Sequence, residues 1–223
     1  MGILNVTPDS FSDGGMVASP EAAAERAEQL VAEGADILDL GAESTRPGAE
    51  PVDAATEVSR LLPAIAAVRR RLPDIPLSVD TYKAEVAAAC IAAGADVIND
   101  VEGGSHEADP TGSPMARTCA RLGCPLILMH RRKEPNYKDF WPEILAETSH
   151  LIQRARAAGL PPAQLWVDPG FGFGKTPAQN LQLVRNLEKF AALGYPVLLG
   201  TSRKSTLGLV LNQPDPLLRH EAT

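Results

Sequence analysis

The sequence predicts an α/β protein of the (β/α)8 barrel class. Short apolar runs typical of strands alternate with longer Ala-rich stretches typical of helices, and this order implies parallel strands covered by helices. The spacing points the same way. The starts of the predicted strands lie about 32 residues apart on average, and eight such units make up the roughly 250 residues usual for a closed barrel.

Seven strands are predicted, one fewer than a closed eight-stranded barrel needs. They span residues 2–6, 35–41, 76–81, 95–101, 125–130, 164–169 and 196–200. We therefore expect a barrel whose last strand and helix are missing from this sequence, with a few residues also absent before the first strand. A doubly wound open sheet remains the alternative. No low-complexity linker interrupts the chain, so residues 1–223 are expected to form one domain.

Predicted helices fill most of the intervals between these strands. They span residues 20–34, 52–71, 83–94, 140–159 and 177–194. Several of the helical stretches end at a glycine, which often follows a helix because it adopts the left-handed backbone at little cost. These stops are Gly34, Gly94, Gly123, Gly159 and Gly194.

Composition limits the classes of partner. The formal net charge is −7 with both signs interspersed, which argues against a nucleic-acid surface but leaves anionic small molecules possible. Cys90, Cys119 and Cys124 form no C-x-x-C pair and are expected to be reduced thiols, with Cys90 packed in the core. There is no apolar run of about 18 residues and no signal peptide in the first ten residues, so a cytoplasmic protein is expected.

Polar residues collect at the C-terminal end of every predicted strand. In a barrel these ends form the active-site face. Burying polar groups costs free energy unless a ligand or another side chain pairs with them, so the pattern predicts a shared polar site. The strand-end residues include Asn5, Asp39, Asp80, Asn99, Met129, His130, Asp168, Ser202, Arg203 and Lys204.

Asp80, Asn99 and Asp168 suit recognition of a flat heterocycle with paired donors, such as an aminopyrimidinone. Asp accepts two parallel N–H bonds, and Asn offers one donor and one acceptor. The alternative is that the carboxylates accept loop N–H groups. Arg203 and Lys204 are expected to face an anion rather than to be solvated surface charges.

Arg46 lies in a long loop after the second strand. Loops of this length are often functional, although a solvent-exposed charge is the alternative for Arg46. His130 is ambiguous between a site residue and a structural hydrogen-bonding residue. There is no His and Cys pattern for zinc. A hard cation such as Mg²⁺ would use oxygen ligands and substrate phosphates, and Asn5 could supply one such oxygen.

The glycine-rich run at 170–174 resembles two nucleotide-binding motifs but matches neither. Gly174-Lys175-Thr176 looks like the end of a P-loop, yet the glycine that the motif requires five residues earlier is Pro169. The G-x-G-x-G spacing also departs from the dinucleotide fingerprint. Nucleoside triphosphates and NAD are therefore excluded, and the glycines are expected to let the backbone approach a flat ligand or a moving loop.

Six motifs in order resemble those of the dihydropteroate synthases, pterin-binding barrel enzymes. Residues 2–15 (GILNVTPDSFSDGG) and 36–48 (DILDLGAESTRPG) resemble the first two signatures, which are long and specific. Shorter matches follow at residues 78–81, 98–101, 168–175 and 202–205. The resemblance covers essentially the whole chain.

The resemblance implies a transferase of folate biosynthesis. Such an enzyme condenses 6-hydroxymethyl-7,8-dihydropterin pyrophosphate with 4-aminobenzoate, giving 7,8-dihydropteroate and pyrophosphate. Pyrophosphate leaves first, and the aromatic amine attacks the resulting pterin methylene cation. A Mg²⁺ cofactor and a homodimer are further implications. The family is also the target of sulfonamides.

The resemblance also implies roles for individual residues. Pterin-site positions match Asp80, Asn99, Asp168 and Lys204. Pyrophosphate positions match Thr45 and Arg46, with Asn5 associated with Mg²⁺. Positions around 4-aminobenzoate match Phe173, Ser202 and Arg203, and Met129 is a further substrate-binding candidate. The catalytic candidates are Arg46, Asp80, Asp168 and Lys204.

Two features depart from the family pattern. The family has an Arg-x-His on a final strand, whereas Arg219 and His220 come too early to match it. Residues 130–135 also lack the glycine-bearing loop expected after the fifth strand.

Two other functions remain open. The first is a methyltetrahydrofolate methyltransferase domain that serves a corrinoid partner, against which residues 45–48 and 202–204 argue. The second is a pterin-binding paralogue without catalytic activity.

Overall fold

A computed structural model describes residues 1–7, 19–43, 50–104 and 113–219 of the chain. Each predicted strand but the last contains an observed strand of four residues. The strands are β1 (Gly2–Asn5), β2 (Leu38–Gly41), β3 (Leu77–Asp80), β4 (Val97–Asp100), β5 (Leu126–Met129) and β6 (Leu165–Asp168).

Helices follow the strands. They are α1 (Pro20–Ala32), α2 (Ala54–Arg71), α3 (Ala84–Ala92), α4 (Pro114–Leu122), α5 (Phe140–Ala157), α6 (Pro177–Arg185), α7 (Glu188–Ala191) and α8 (Ser205–Val210). Ser19, Asp53 and Thr176 cap the first turns of α1, α2 and α6 by accepting backbone N–H bonds, which explains where these helices begin.

The six strands form one parallel sheet in sequential order, β1-β2-β3-β4-β5-β6. A doubly wound sheet reverses its strand order at a switch point, whereas a barrel adds each strand beside the previous one. The observed order therefore confirms the barrel class and excludes the doubly wound alternative. Across the described residues, β1 pairs only with β2, so the sheet is an open section of a barrel.

Two predicted elements were wrong in extent. The strand expected at 196–200 is a single parallel bridge between Val167 and Val197, because Pro196 on one side and Pro169 on the other have no N–H with which to extend the ladder. The helix expected at 177–194 is divided into α6 and α7 at Asn186. The side chain of Asn186 donates to the carbonyl of Gln182 at 2.9 Å, a local bond that competes with helix continuation.

The two faces of the sheet have different contents. Side chains alternate along a strand, and Leu38, Leu40, Leu77 and Val79 lie in the apolar core that the helices cover. The intervening positions on the inner face of the barrel section are largely polar. The inner-face polar residues of β2, β3, β4 and β6 are Asp39, Ser78, Asp80, Asn99 and Asp168.

Cys90, Cys119 and Cys124 are buried, unpaired thiols, as expected for core residues. Within the described ranges, no helix has the length and apolar content needed to cross a membrane.

Candidate functional site

The site is a cluster of polar side chains at the C-terminal ends of the strands. Asp80 lies opposite Asn99 in the β3–β4 register, and Asp168 lies opposite Met129 in the β5–β6 register. Asp39, two residues deeper in the register on β2, accepts a hydrogen bond from Nδ2 of Asn99 at 3.1 Å. Asp39, Asn99 and Asp168 are each less than a tenth exposed. The strands thus hold three carboxyl groups and an amide together within a buried mouth.

Several atoms in this cluster have unmet hydrogen-bonding capacity. Oδ1 of Asp39, Oδ1 of Asn99 and Oγ of Ser78 are buried, and none has a hydrogen-bond partner within the described part of the chain. Buried polar groups in folded proteins are nearly always paired, and leaving one unpaired costs about 1–3 kcal/mol. The cluster is therefore suited to a polar ligand that supplies hydrogen-bond donors.

Burial and charge repulsion raise the pKa values of the carboxyl groups, which also favours a ligand that donates hydrogen bonds. Burial, followed by the carboxylates of Asp39, Asp100 and Glu57, raises the pKa of Asp80 well above its usual range. Burial also raises the pKa of Asp39. The pKa of Asp168 rises to about 6 through burial, although the Gly170 N–H and nearby lysines partly offset that effect. A ligand that donates N–H groups or gains positive charge would relieve this repulsion.

Lys204 connects the acid cluster to an aromatic ring. Its Nζ lies 4.0 Å from the ring centroid of Phe173. Burial lowers the pKa of Lys204, while Asp168 and Asp80 act in the opposite direction. The guanidinium of Arg131 lies 5.6 Å from the same ring centroid. The ring of Phe173 is thus flanked by two cations, which suits an aromatic substrate that carries a carboxylate.

Phe173 lies in a turn whose glycines allow close approach to neighbouring backbone. Gly170 has φ +71°, and a Cβ there would overlap the carbonyl oxygen of His130. Gly174 has φ +62°, and a Cβ there would overlap the carbonyl of Arg132. The glycines bring this turn against the chain's own backbone after β5, whereas the sequence suggested close approach to a ligand or a moving loop.

His130 is part of a buried polar network. Its Nε2 contacts Oε2 of Glu147 at 2.8 Å, and its Nδ1 contacts Nζ of Lys175 at 3.2 Å. Burial, with the nearby charge of Lys175, lowers the pKa of His130 to about 4. Among the residues described here, no group of three His, Cys, Asp or Glu could hold a metal ion.

Asn5 lies beside Asp80 across a position that has no side chain. A Cβ at Gly41 would lie 3.5 Å from Oδ1 of Asn5 and 3.7 Å from Oδ2 of Asp80. The glycine therefore leaves a small recess between two oxygen atoms. Oxygen donors of this type are the ligands that Mg²⁺ prefers, so the residues fit a hard cation.

The remaining candidates divide into two groups. Ser202 and Arg203 are exposed on the turn before α8, and Arg203 has a left-handed φ of 51°. Thr45 and Arg46 lie outside the described residues. Just before them, Glu43 accepts hydrogen bonds from Tyr82 and Lys83, which ties the end of β2 to the end of β3.

Arg219 has a structural role, consistent with its exclusion from the Arg-x-His motif. It donates to the carbonyls of Arg203 at 3.0 Å and Gln213 at 2.9 Å. His220 is outside the described residues.

Sequence reasoning gave no individual role to two residues that lie at this site. The sequence places Asp39 among the strand-end polar residues, and a binding role could have been assigned to it because it shares the period-two phase of the inner face of its strand. Lys175 follows the glycine run, but a lysine after a loop is ordinarily solvent-exposed, and only the fold places it at 8% exposure.

Comparisons with known proteins identify the family of this chain. Residues 1–223 match the family model described as pterin binding enzyme. Dihydropteroate synthase of Clostridium beijerinckii is 48% identical over 214 residues, which are 96% of this chain and 77% of that protein. The Bacillus subtilis dihydropteroate synthase is 48% identical over 223 residues, covering 100% of this chain and 76% of that protein.

Solved structures give the same result. A Clostridium difficile dihydropteroate synthase, crystallised in the presence of pteroic acid, has a TM-score of 0.92 and 43% identity, covering 100% of this chain and 82% of that chain. A Xanthomonas albilineans dihydropteroate synthase with 4-aminobenzoic acid has a TM-score of 0.90 and 44% identity, covering 98% of this chain and 78% of that chain. At this identity over nearly its whole length, the chain belongs to the pterin-binding enzymes and, among them, to the dihydropteroate synthase family.

Proposed function

We propose that the acid–amide cluster binds the pterin ring of 6-hydroxymethyl-7,8-dihydropterin pyrophosphate, and that the chain joins this pterin to 4-aminobenzoate. The observation that carries the proposal is a pair of buried oxygens on Asp39 and Asn99, beside Asp80 and Asp168, for which the described residues supply no hydrogen-bond partner. The relatives that were crystallised with pteroic acid and with 4-aminobenzoic acid support both halves of the substrate pair.

The ring-binding step follows from donor and acceptor counts. An aminopyrimidinone presents several N–H donors and one carbonyl acceptor along its edge. Asp168 offers carboxylate oxygen, with its Oδ1 already held by the Gly170 N–H at 2.7 Å. Asn99 offers an Oδ1 that has no partner among the residues that the structure describes. Met129 is buried beside Asp168 in the register and supplies an apolar contact for the flat ring.

The chemical step exchanges one bond for another. The bond between the pterin methylene carbon and the pyrophosphate oxygen breaks, and its electron pair leaves with the pyrophosphate. The amine nitrogen of 4-aminobenzoate then forms a bond to that carbon and loses a proton. Asp80 and Asp168 stabilise the ring while it carries positive charge, because the transition state is more cationic than the bound substrate.

Positive charge is needed on the leaving-group side. We assign Thr45 and Arg46 to the pyrophosphate, as the family motif implies, and Asn5 with the recess at Gly41 to Mg²⁺. When bound, the metal supplies charge that offsets the charge developing on the pyrophosphate oxygens. Arg46 contributes a charged donor to the same oxygens, and losing one such donor typically costs about 2–4 kcal/mol.

The amine side lies next to the acid cluster. Phe173 supplies an aromatic face, and Lys204, whose Nζ is 4.0 Å from the ring centroid, is the cation assigned to the carboxylate of 4-aminobenzoate. Arg131, which is paired with Glu102, lies 5.6 Å from the same centroid. Ser202 and Arg203, on the exposed turn before α8, are assigned to this side because they directly precede Lys204 in the chain. A homodimer stays a prediction from the family resemblance.

The deciding assay measures pyrophosphate release and dihydropteroate formation with and without 4-aminobenzoate and with a chelator. We expect release that requires Mg²⁺, with Arg46→Ala much slower. Full turnover in the chelator would overturn the metal assignment. Tight pterin binding without release would identify a non-catalytic paralogue, and methyl transfer from methyltetrahydrofolate would favour the methyltransferase function.

A further inference from the structure

Lys175 is a buried ammonium whose donors are all used. Its Nζ donates to the carbonyl of Phe173 at 2.9 Å, the carbonyl of His130 at 3.3 Å and Nδ1 of His130 at 3.2 Å. A protonated lysine has three N–H donors, and three acceptors surround this one. The side chain is 8% exposed and faces Asp168 and Glu147. These partners offset part of the cost of burying the charge, although burial still lowers the pKa of Lys175 to about 7.

The partners of Lys175 determine the tautomer of His130. Nδ1 of His130 must accept from the ammonium, so its proton is on Nε2, which donates to Oε2 of Glu147 at 2.8 Å. Glu147 is held in turn by two bonds from Arg132. A continuous relay of hydrogen bonds therefore joins Arg132, Glu147 on α5, His130 and Lys175. The relay leads from α5 to the glycine turn.

The relay ends on the backbone of Phe173. The turn itself is glycine-rich, with positive φ at Gly170, Gly172 and Gly174, and glycine backbones lose the most conformational freedom when ordered. The hydrogen bond from Lys175 to the Phe173 carbonyl and the bond from the Phe173 N–H to the Gly170 carbonyl at 3.0 Å hold the residue from both sides. The ring orientation beside Lys204 depends on this backbone.

We infer that Lys175, supported by His130 and Glu147, is a positioning residue that fixes the glycine turn at 170–174 and so sets where Phe173 presents its ring to the amine substrate. This inference rests on the proposed function for the identity of that substrate. Lys175 contacts Phe173 at its backbone carbonyl, so its influence on the reaction passes through the position of that residue.

A double-mutant cycle tests this dependence. Lys175→Met is expected to raise KM for 4-aminobenzoate about tenfold or more, because displacing a substrate-contacting group by about 1 Å can cost as much as a hundredfold. In a Phe173→Ala background the same change is expected to add little, because residues that act through one another are not additive. An equal factor in both backgrounds, or no effect in either, would overturn the inference.

Two further variants keep the test decisive if Lys175→Met fails to fold. His130→Asn places an amide oxygen near the position of Nδ1 and is expected to keep KM for 4-aminobenzoate close to that of the parent protein, whereas His130→Leu should raise it. Similar values for the two variants would contradict the relay. Lys189→Met, which removes an exposed lysine, is the matched control. Dihydropteroate formation by the unsubstituted protein tests the proposed function separately, whatever these variants show.

Discussion

The side-chain amide of Asn99 on β4 donates to the carboxylate of Asp39 on β2, 3.1 Å away, across the intervening strand β3. This bond uses one amide hydrogen and one carboxylate oxygen, while Oδ1 of each residue remains buried without a partner within the described part of the chain. The pair is therefore held in place by its own contact and keeps two acceptors for a ligand. That arrangement is pre-organised, which reduces the ordering cost of binding.

The pairing predicts that Asp39 contributes to pterin affinity. Asp39→Ala removes a buried acceptor and leaves the Asn99 amide unpaired, so binding of a pterin analogue should weaken by about 1–3 kcal/mol. Calorimetric titration measures the change. Asp36→Ala, which alters an exposed aspartate just before the same strand, is the control and should bind normally. Equal affinity in both variants would remove Asp39 from the site.

The raised pKa of Asp168 predicts a pH-dependent pterin affinity. Only the ionised carboxylate accepts two N–H bonds, and the pKa in the free protein is about 6. Affinity should therefore fall as the pH drops below about 6, approaching tenfold per pH unit if one proton must be released. Asp168→Asn should weaken pterin binding by about 2–3 kcal/mol and abolish the fall of affinity below about pH 6. An unchanged profile in that variant would assign the titration to another group.

The same residue should limit stability. Burial raises the folded pKa of Asp168 above its ordinary value of 3.8, so its protonated form favours folding. That contribution is fully present below about pH 4 and is lost as the pH rises through about 6. Asp168→Asn is uncharged and can keep an acceptor for the Gly170 N–H. It should raise the free energy of unfolding by about 1–3 kcal/mol at about pH 7.5.

Urea unfolding at about pH 4 and at about pH 7.5 measures the difference in the free energy of unfolding between Asp168→Asn and the parent protein. The advantage of Asp168→Asn should shrink towards zero near pH 4, where the native aspartic acid is also neutral. A variant that is less stable than the parent protein near neutral pH would show that the carboxylate is stabilised by partners in the fold rather than destabilised by burial.

The recess at Gly41 predicts a change that affects the site more than the fold. A Cβ there meets Asn5 and Asp80 at ordinary van der Waals distances, and the backbone of Gly41 does not require glycine. Gly41→Ala should leave the melting temperature nearly unchanged but increase the Mg²⁺ concentration needed for half-maximal turnover. Turnover measured against Mg²⁺ concentration checks this expectation. An unaltered Mg²⁺ dependence would exclude the recess as part of the metal site.

Local patterns were sufficient to predict most of the architecture. Strand and helix periodicities, and capping residues such as Ser19 and Asp53, depend on neighbours a few residues away, so they are readable along the chain. The prediction was least accurate where a single residue changed the outcome. Pro196 and Pro169 limited the seventh strand to one bridge, and Asn186 divided a helix.

The sequence by itself determined the barrel class and the presence of polar residues at the strand ends, because both follow from period and order. Only the tertiary structure decided which of these residues meet. The contact of Asp39 with Asn99 depends on the register of three strands, and the burial of Lys175 depends on a glycine turn packed against residues 130–132. Registers and close backbone approaches join residues that are far apart in the chain, and no local pattern encodes them.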